Sequence, residues 1–397
     1  MELTKMKDMF FELYGNDKEE IRIFTSPGRV NLIGEHVDYC GGPVLPAALT
    51  MKTTIIARKR KDDIIRMRAT DLDICVETNI SDIDSLKGKL KWGDYQLGVA
   101  SELLKAGYNI GGCDLLYDDT TPHGGGLSSS AAIEISTALC FATFANEASG
   151  KHREIDMIEL ALIAQKAEHN YVGVNCGIMD QFASAMGKRD HCIYLNCGTL
   201  EYELVPLELG DYRLVLSNTN KKHSLGSSKY NERRGECEEG LAALKTALPE
   251  ITQLADVSIS DFEMYKDRIE NPVVKRRIKH VVAECDRVHR SVQALKKGEL
   301  KKFGELMNAS HDSLRDDYEV SCEELDTLVA EARKFDGVLG SRMTGAGFGG
   351  CTVSVVRKDI IDEFVEKIGN VYLEKFGHPA SLYISEIGDG GREIKGL

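Results

Sequence analysis

No apolar run of about 18 residues occurs anywhere in the 397-residue chain, which excludes a membrane-spanning helix. No segment rich in Lys and Arg stands out, and the net charge is −13, so nucleic acid is not expected as a partner. The N-terminal stretch MELTKMKDMFFELYG is charged throughout. It lacks the apolar heart of a signal peptide and reads as an amphipathic helix. No C-x-x-C spacing occurs among the eleven cysteines, an odd number scattered along the chain. Several sit in apolar runs, such as Cys140 in STALCFATFA. They are expected to be reduced, buried thiols of a cytoplasmic protein, without a zinc site or a disulfide framework. There is also no G-x-x-x-x-G-K-[ST] phosphate loop, no internal repeat and no low-complexity linker.

What is present is ordinary for a soluble globular protein: 42% hydrophobic and 28% charged residues. The length is too great for one ordinary core, so two domains are expected. The segments IRIFTS, TTIIARKR, IIRMRATD and DICVETN read as strands, YQLGVASELLKAG as a helix and GCDLLYDDTTP as a strand ending in a turn. Three further helices follow, over SSSAAIEISTALCFATFANEA, REIDMIELALIAQKAEHNYVG and GIMDQFASAMG. Beyond about residue 196 the character changes: a strand at YRLVLSNTN, four helical segments, a Gly-rich turn at RMTGAGFGG leading into CTVSVV, one more helix and a last strand at SLYISEI. Helices and strands alternate irregularly, which predicts an α+β fold of two domains, 1–205 and 206–397. The last residues could return to the first domain.

Three motifs carry chemistry. In PGRVNLIGEHVDYCGG, Pro27 to Gly42, the polar residues Arg29, Asn31, Glu35, His36, Asp38 and Tyr39 alternate with Val30, Leu32, Ile33 and Val37. A segment that is half apolar is partly buried, and buried charge must be paired or used. In HGGGLSSSAA, glycines let a ligand approach the backbone, and the serines stand where a long helix begins. Free N–H groups and the helix dipole make that an anion site, suited to phosphate. A flexible loop with an ordinary serine cap is the plainer alternative. RMTGAGFGGCTVSVV resembles a dinucleotide fingerprint only superficially, because it leads into a strand and not a helix. It is equally a ligand loop or a tight turn against another loop. Elsewhere, Met157, Ala161, Ala164, Glu168 and Tyr171 follow one helical stripe, so Glu168 extends an apolar face and calls for a partner such as a cation. Asp180 falls in the first turn of a short helix, where a helix-dipole role suffices to explain it.

Together the three motifs resemble those of the GHMP small-molecule kinases, and the first resembles the galactokinase branch in particular through GRVNLIGEH-x-DY. NCGIMDQ and SSKYNERRGECE are also similar to segments of that family, and the resemblance spans nearly the whole chain in the expected order. It implies a two-domain GHMP kinase fold with the active site between the domains, and transfer of the ATP γ-phosphate to O1 of galactose in the cytoplasm by a monomer that needs Mg²⁺. It implies a sugar site of Arg29, Glu35, His36, Val37, Asp38, Gly177, Asp180 and Tyr230, with Arg29 and Asp180 meeting at the anomeric hydroxyl. Asp180 would act as a base or through its charge. Gly124, Gly125, Gly126, Leu127, Ser128, Ser129 and Ser130 would wrap the ATP phosphates. Trp92 would lie near the adenine, although a lone Trp is commonly a core residue. Ser130 and Glu168 would hold Mg²⁺. Two positions depart from the family: Val37 and Cys40 stand where many members carry Thr and Asn. They flank the sugar-reading residues, so they bear on which sugar is taken, galactose or N-acetylgalactosamine, and not on the reaction. A mevalonate kinase fits poorly, since Glu35, His36 and Asp38 suit a polyhydroxylated ligand. A non-catalytic galactose and ATP sensor would be expected to lack part of the phosphate loop or the base, and Ser130, Ala131, Glu168 and Asp180 are all present.

Overall fold

The computed structural model describes residues 1–16, 19–122, 125–150, 154–221 and 226–395, without the side chains of 226–228. Gly124 of the expected phosphate loop, with His123 before it, lies outside the described residues. In chain order the elements are α1 Leu3–Tyr14, β1 Ile21–Asn31, β2 Pro43–Val44, β3 Pro46–Lys59, β4 Ile64–Ala69, β5 Cys75–Asn79, α2 Trp92–Lys105, β6 Cys113–Asp119, α3 Ser129–Ala148, α4 Met157–Ala167, α5 Met179–Met186, β7 His191–Asn196, β8 Tyr202–Pro206 and β9 Tyr212–Asn218. They continue as α6 Gly226–Lys245, α7 Ile259–Tyr265, α8 Pro272–Lys296, α9 Leu300–Asp316, α10 Glu323–Ala332, β10 Val338–Thr344, β11 Cys351–Arg357, α11 Ile361–Phe376, β12 Ser381–Ser385 and β13 Arg392–Ile394. No described helix is long and apolar enough to cross a membrane, and the cysteines are free thiols.

The mixed α+β fold has three sheets. A six-stranded sheet has the order β13-β1-β3-β6-β4-β5, a four-stranded sheet β10-β11-β9-β12, and a small one β2-β7-β8. Strand alternation assigns the faces of the first. Phe24, Ile55, Leu115 and Tyr117 meet α2, α3 and α4 on one side, while Ile23, Ile56 and Leu116 cover α1 on the other. α3 is buried almost all round, which is why its sequence is apolar without a polar face. In the four-stranded sheet Leu214, Leu216, Val353 and Val355 pack toward Phe303, Leu306 and Met307 of α9, and Val215 and Val356 toward Phe364 and Tyr372 of α11. Valine, isoleucine and leucine in these strands fit a pleated, buried surface.

Two features aim the fold at one place. β1 runs past a register shift between Pro27 and Arg29, so the strand continues into the first motif. A side chain at Gly28 would put its Cβ 2.6 Å from the Leu127 carbonyl, so only glycine lets this strand touch the serine loop. The third motif is a strand–loop–strand hairpin between β10 and β11. The two-residue β2 and the three-residue β13, which pairs with β1, are too brief to leave a periodic signal in sequence.

The close approach of α9 to β10 is a test of this packing. A Cβ on Gly304 would stand 2.2 Å from the Leu339 carbonyl. Gly304→Ala is expected to lower unfolding free energy in urea by about 1–3 kcal/mol. Gly369→Ala on α11, where a Cβ meets nothing within 4 Å, should be neutral or gain up to about 1 kcal/mol. Equal effects at the two sites would refute the packing.

Candidate active site

The first motif ends β1 and turns sharply. Gly34 has φ 102° and His36 φ 62°, both in the left-handed region, and such a turn in a non-glycine residue persists only where its surroundings hold it. α8 supplies that hold. The Gly34 N–H donates to Glu284 Oε1 at 2.9 Å, and His280 Nε2 donates to the Glu35 carbonyl at 3.2 Å. Burial works against ionisation of Glu284, yet Arg287, His280, Arg342 and the Ser310 hydroxyl hold its carboxyl down to about 2.

Arg29 points from β1 into the space between the three motifs. Its Nε donates to Asp180 Oδ1 at 2.8 Å and its Nη2 to Oδ2 at 2.7 Å, a bidentate pair; Nη1 donates to the Gly126 carbonyl at 2.7 Å. Asp180 sits in the first turn of α5 as expected. It also accepts from the Ser128 hydroxyl. Arg29 keeps only 6% of its side chain exposed and Asp180 27%, so the carboxylate is the member of the pair that a ligand can reach.

Ser128 precedes α3 with φ 56° and makes no side-chain cap, because its hydroxyl is used on Asp180. Ser129 gives its hydroxyl to Asp119, at the end of β6. The first N–H groups of α3 are therefore not capped by the Ser128 side chain and face the glycine loop, which is an anion site in the sense expected from the sequence. Gly125 and Gly126 lie in that loop, Gly126 with φ 70°. Leu127 is buried in the core beside Val30 and Leu32, so only its backbone belongs to the loop; its carbonyl accepts from the Arg29 N–H at 3.0 Å.

Behind the loop stand three carboxyls. α4 ends at Ala167, and Glu168–Val172 form a wider π-helical turn instead of continuing the α-helix, yet Glu168 and Tyr171 remain buried. Burial, then the charge of Asp180, push the Glu168 carboxyl up, while a hydrogen bond from Ser130 works the other way. Glu134, one turn along α3, is fully buried, and burial followed by the charge of Glu168 pushes it up strongly. Gln181 Nε2 lies 3.1 Å from Glu134 Oε2 and 3.2 Å from Glu168 Oε1. Glu134 Oε1 and Gln181 Oε1 are buried without a partner. A hard divalent cation fits this donor set, which is oxygen-rich and over-supplied with carboxyls.

A cleft of about 390 Å³ opens beside Arg29 and Asp180, between the first motif, the segment 173–180, α6 and the third glycine loop; the described residues of the serine loop, Glu134 and Glu168 do not line it. Of the residues expected around the sugar, Arg29, Glu35, His36, Asp38, Gly177, Asp180 and Tyr230 line it together. Asp38 presses on Gly177, where a Cβ would fall 2.0 Å from Oδ2, so no other residue fits there. Burial, then the charge of Asp180, raise the Asp38 carboxyl to about 6. His36 pairs through Nδ1 with the Tyr39 hydroxyl at 2.9 Å and through Nε2 with the Ala346 carbonyl at 3.1 Å. A carbonyl only accepts, so Nε2 carries the proton and Nδ1 accepts from Tyr39. Burial, then His280, push His36 down to about 3, so the ring is neutral.

Val37 is a correction. It is fully buried in the core with Cys40, Val44 and Ile178 and does not line the cleft. A buried apolar side chain between two polar ones is what an alternating segment produces, and position in the motif alone did not separate the faces. Cys40 is likewise buried in that core, beside Cys237, so neither departure from the family forms a wall of the cleft. Trp92 does not enter the cleft; its ring stands edge-on to Tyr117 at 5.5 Å, partly buried against the core under α3. The cleft also takes Gly173–Cys176, Met179, Asn231, Gly345 and Ala346. Asn175 and Asn231 lie within NCGIMDQ and SSKYNERRGECE, but nothing beyond that place in the segments marked them as cleft residues. Ser128 was read as a phosphate residue, and its bond to Asp180 is visible only in three dimensions.

The chain matches three family descriptions in sequence order: the galactokinase galactose-binding signature over residues 8–59, the GHMP kinases N terminal domain over 94–188 and the GHMP kinases C terminal over 291–373. It is 45% identical to a galactokinase of Clostridium tetani over 394 residues, 99% of this chain and 98% of that one. It is 44% identical to a galactokinase of Bacillus subtilis over 395 residues, 99% of each. Among solved structures, Lactococcus lactis galactokinase complexed with galactose superposes with a TM-score of 0.92 at 41% identity, covering 99% of this chain and 100% of that one. The mevalonate kinase of Methanococcus jannaschii, at 19% identity and a TM-score of 0.65, shares the fold. With the first and third motifs lining one cleft, the serine loop bonded to its Arg29 and Asp180, and this likeness over its full length, the chain belongs to the galactokinase family of the GHMP kinases.

Proposed function

We propose that the chain is a galactokinase, an ATP-dependent kinase that transfers the γ-phosphate to O1 of D-galactose and so takes the sugar into galactose metabolism. The observation that carries this is the bidentate Arg29–Asp180 pair, which opens on the cleft beside the N-terminus of α3. In this reading 1–205 and 206–397 are the two domains, and the protein works in the cytoplasm as a monomer.

Phosphoryl transfer asks the protein mainly for positioning and charge compensation. Galactose binds in the cleft with Asp38 reading the O3/O4 edge and Glu35 and Tyr230 nearby. Asp180 faces the anomeric hydroxyl and takes its proton or stabilises it by charge. Arg29 holds Asp180 in place and offers its guanidinium to the transferring phosphoryl group. The loop from Gly124 to Ser130 and the N–H groups of α3 receive the ATP phosphates, with Trp92 toward the adenine side. Ser130 and Glu168 would hold Mg²⁺, which neutralises phosphate charge when bound; Mg²⁺ commonly takes only one or two protein oxygens.

Four outcomes are expected. Asp180→Asn and Arg29→Ala each cut kcat by at least ~100-fold, while galactose affinity by calorimetry falls much less. Near-normal turnover in either variant removes that residue from the chemistry. Glu168→Gln and Ser130→Ala raise the Mg²⁺ concentration for half-maximal rate, with Glu168→Gln the larger effect because it deletes a charge. An unchanged Mg²⁺ dependence in both would move the metal elsewhere. A kinase assay on galactose, N-acetylgalactosamine and glucose should rank galactose first, with glucose slower by up to ~10⁴-fold in kcat/KM, because an equatorial O4 leaves Asp38 unpaired. Asp38 accepts that hydrogen bond as an anion, and its carboxyl titrates at about 6, so its share of affinity is present above that pH and lost below it. The galactose KM should then rise about tenfold by pH 5, with the ATP KM little changed. The reading fails if N-acetylgalactosamine outranks galactose or glucose comes within about tenfold of it.

A further inference from the structure

β10 ends in the third glycine loop, and its alternation puts Arg342 and Thr344 on one face. That face meets the first motif. Arg342 Nη1 donates to the Asn31 carbonyl at 3.0 Å and points to Glu35 Oε1 at 3.4 Å. The Thr344 hydroxyl stands 3.0 Å from the Asn31 carbonyl and 3.1 Å from Glu35 Oε1, and it has a single hydrogen to share between them. The Gly345 N–H donates to the same Oε1 at 2.8 Å. Arg342 and Thr344 are 0% and 2% exposed, so water does not substitute for these bonds. All three donors converge on one carboxylate oxygen, and none of them takes Oε2. Glu35 lines the cleft, so this convergence fixes which of its oxygens is left for a ligand.

We propose that Thr344 is a positioning residue for sugar recognition: its hydroxyl, with the Arg342 guanidinium, sets the Glu35 carboxylate so that Oε2 meets a sugar hydroxyl. The third glycine loop then serves the sugar as well as the phosphates. The proposal rests on the reading of Glu35 as a galactose contact. The loop is well placed for both tasks. Its Ala346 carbonyl receives the His36 N–H, and a Cβ on Gly345 would come 3.6 Å from the Gly126 carbonyl of the serine loop. Fixing a carboxylate in advance removes an ordering cost that the sugar would otherwise meet.

Thr344→Val keeps the shape and removes only the hydroxyl, and Thr344→Ser restores it. Calorimetric titration of the full chain with galactose, and separately with a non-hydrolysable ATP analogue, tests the proposal. Thr344→Val should weaken galactose about tenfold, the scale of one hydrogen bond to a charged group, and leave the nucleotide within about twofold. Thr344→Ser should return galactose affinity to within about twofold of the parent. A purely structural bond would lower the melting temperature without separating the two ligands. Unchanged galactose affinity in Thr344→Val, or equal weakening of both ligands, overturns the proposal while leaving the galactokinase reading intact. A parent protein that binds no galactose overturns that reading and this proposal with it. If Thr344→Val does not fold, Arg342→Lys, which keeps the charge but shortens the reach to Glu35, carries the same criteria.

Discussion

The Arg29 guanidinium is the contact on which the site depends. One planar group bonds both oxygens of Asp180 on α5 and the carbonyl of Gly126 in the serine loop, from the strand next to the edge of the six-stranded sheet. Each partner comes from a different part of the chain, and the pair is largely withdrawn from water. Desolvating such a pair costs several kcal/mol, about as much as its attraction returns, so an apolar packing of the same volume would serve stability as well. What the pair supplies is orientation. A fork of donors fixed in one plane leaves the carboxylate a single attitude, and a lysine would not impose it. The Ser128 hydroxyl adds a third constraint on the same carboxylate, and in doing so gives up its ordinary place as a helix cap.

That exchange explains how a chain with a net charge of −13 can accept a polyphosphate. No cationic surface is required. The anion site is made from backbone N–H groups at the start of α3, released for a ligand because Ser128 and Ser129 spend their hydroxyls on Asp180 and Asp119. The same region crowds Glu134, Glu168 and Asp180 together, and both glutamates are pushed toward the neutral form, Glu168 by burial and the charge of Asp180, Glu134 by burial and the charge of Glu168. This is locally unfavourable in the protein alone. In the proposed reading, a hard cation held by Ser130 and Glu168 would offset part of that cost by compensating the charge of the carboxyls and of the phosphate.

The sequence was legible where physics acts locally. Periodicity marked every long helix and most strands of the two larger sheets, since each buries a face of several residues; β10 and β13 left no such mark. The pairing of glycines with serines at a helix start announced the anion site, and the apolar–polar alternation from Val30 to Asp38 announced a half-buried charged segment. The galactokinase motif placed Arg29, Glu35, His36, Asp38, Gly177, Asp180 and Tyr230 around one cleft before any coordinates. The illegible part was long-range. β2 and β13 are too short to show a period, and they exist because partners far along the chain, β7 and β1, complete them. Which side of an alternating segment faces a ligand is equally non-local, and so Val37 was placed at the sugar and is instead in the core.

The two positions where the chain departs from its family sharpen that point. Val37 and Cys40 looked like candidates for altered specificity because they flank Asp38. Both side chains are buried on the far side of the turn, with Val44, Ile178 and Cys237. A substitution there changes what the turn rests on, not what the sugar touches. The turn itself is held by charges and hydrogen bonds from three other elements: Glu284 and His280 on α8, Thr344 and Arg342 on β10, and the Ala346 carbonyl in the third loop. With the left-handed backbone at Gly34 and His36 fixed from all sides, the apolar Val37 and the thiol Cys40 rest in the core and leave the lining of the cleft to their neighbours. The shape of the turn that brings Glu35, His36 and Asp38 to the cleft is therefore set by residues hundreds of positions away in sequence.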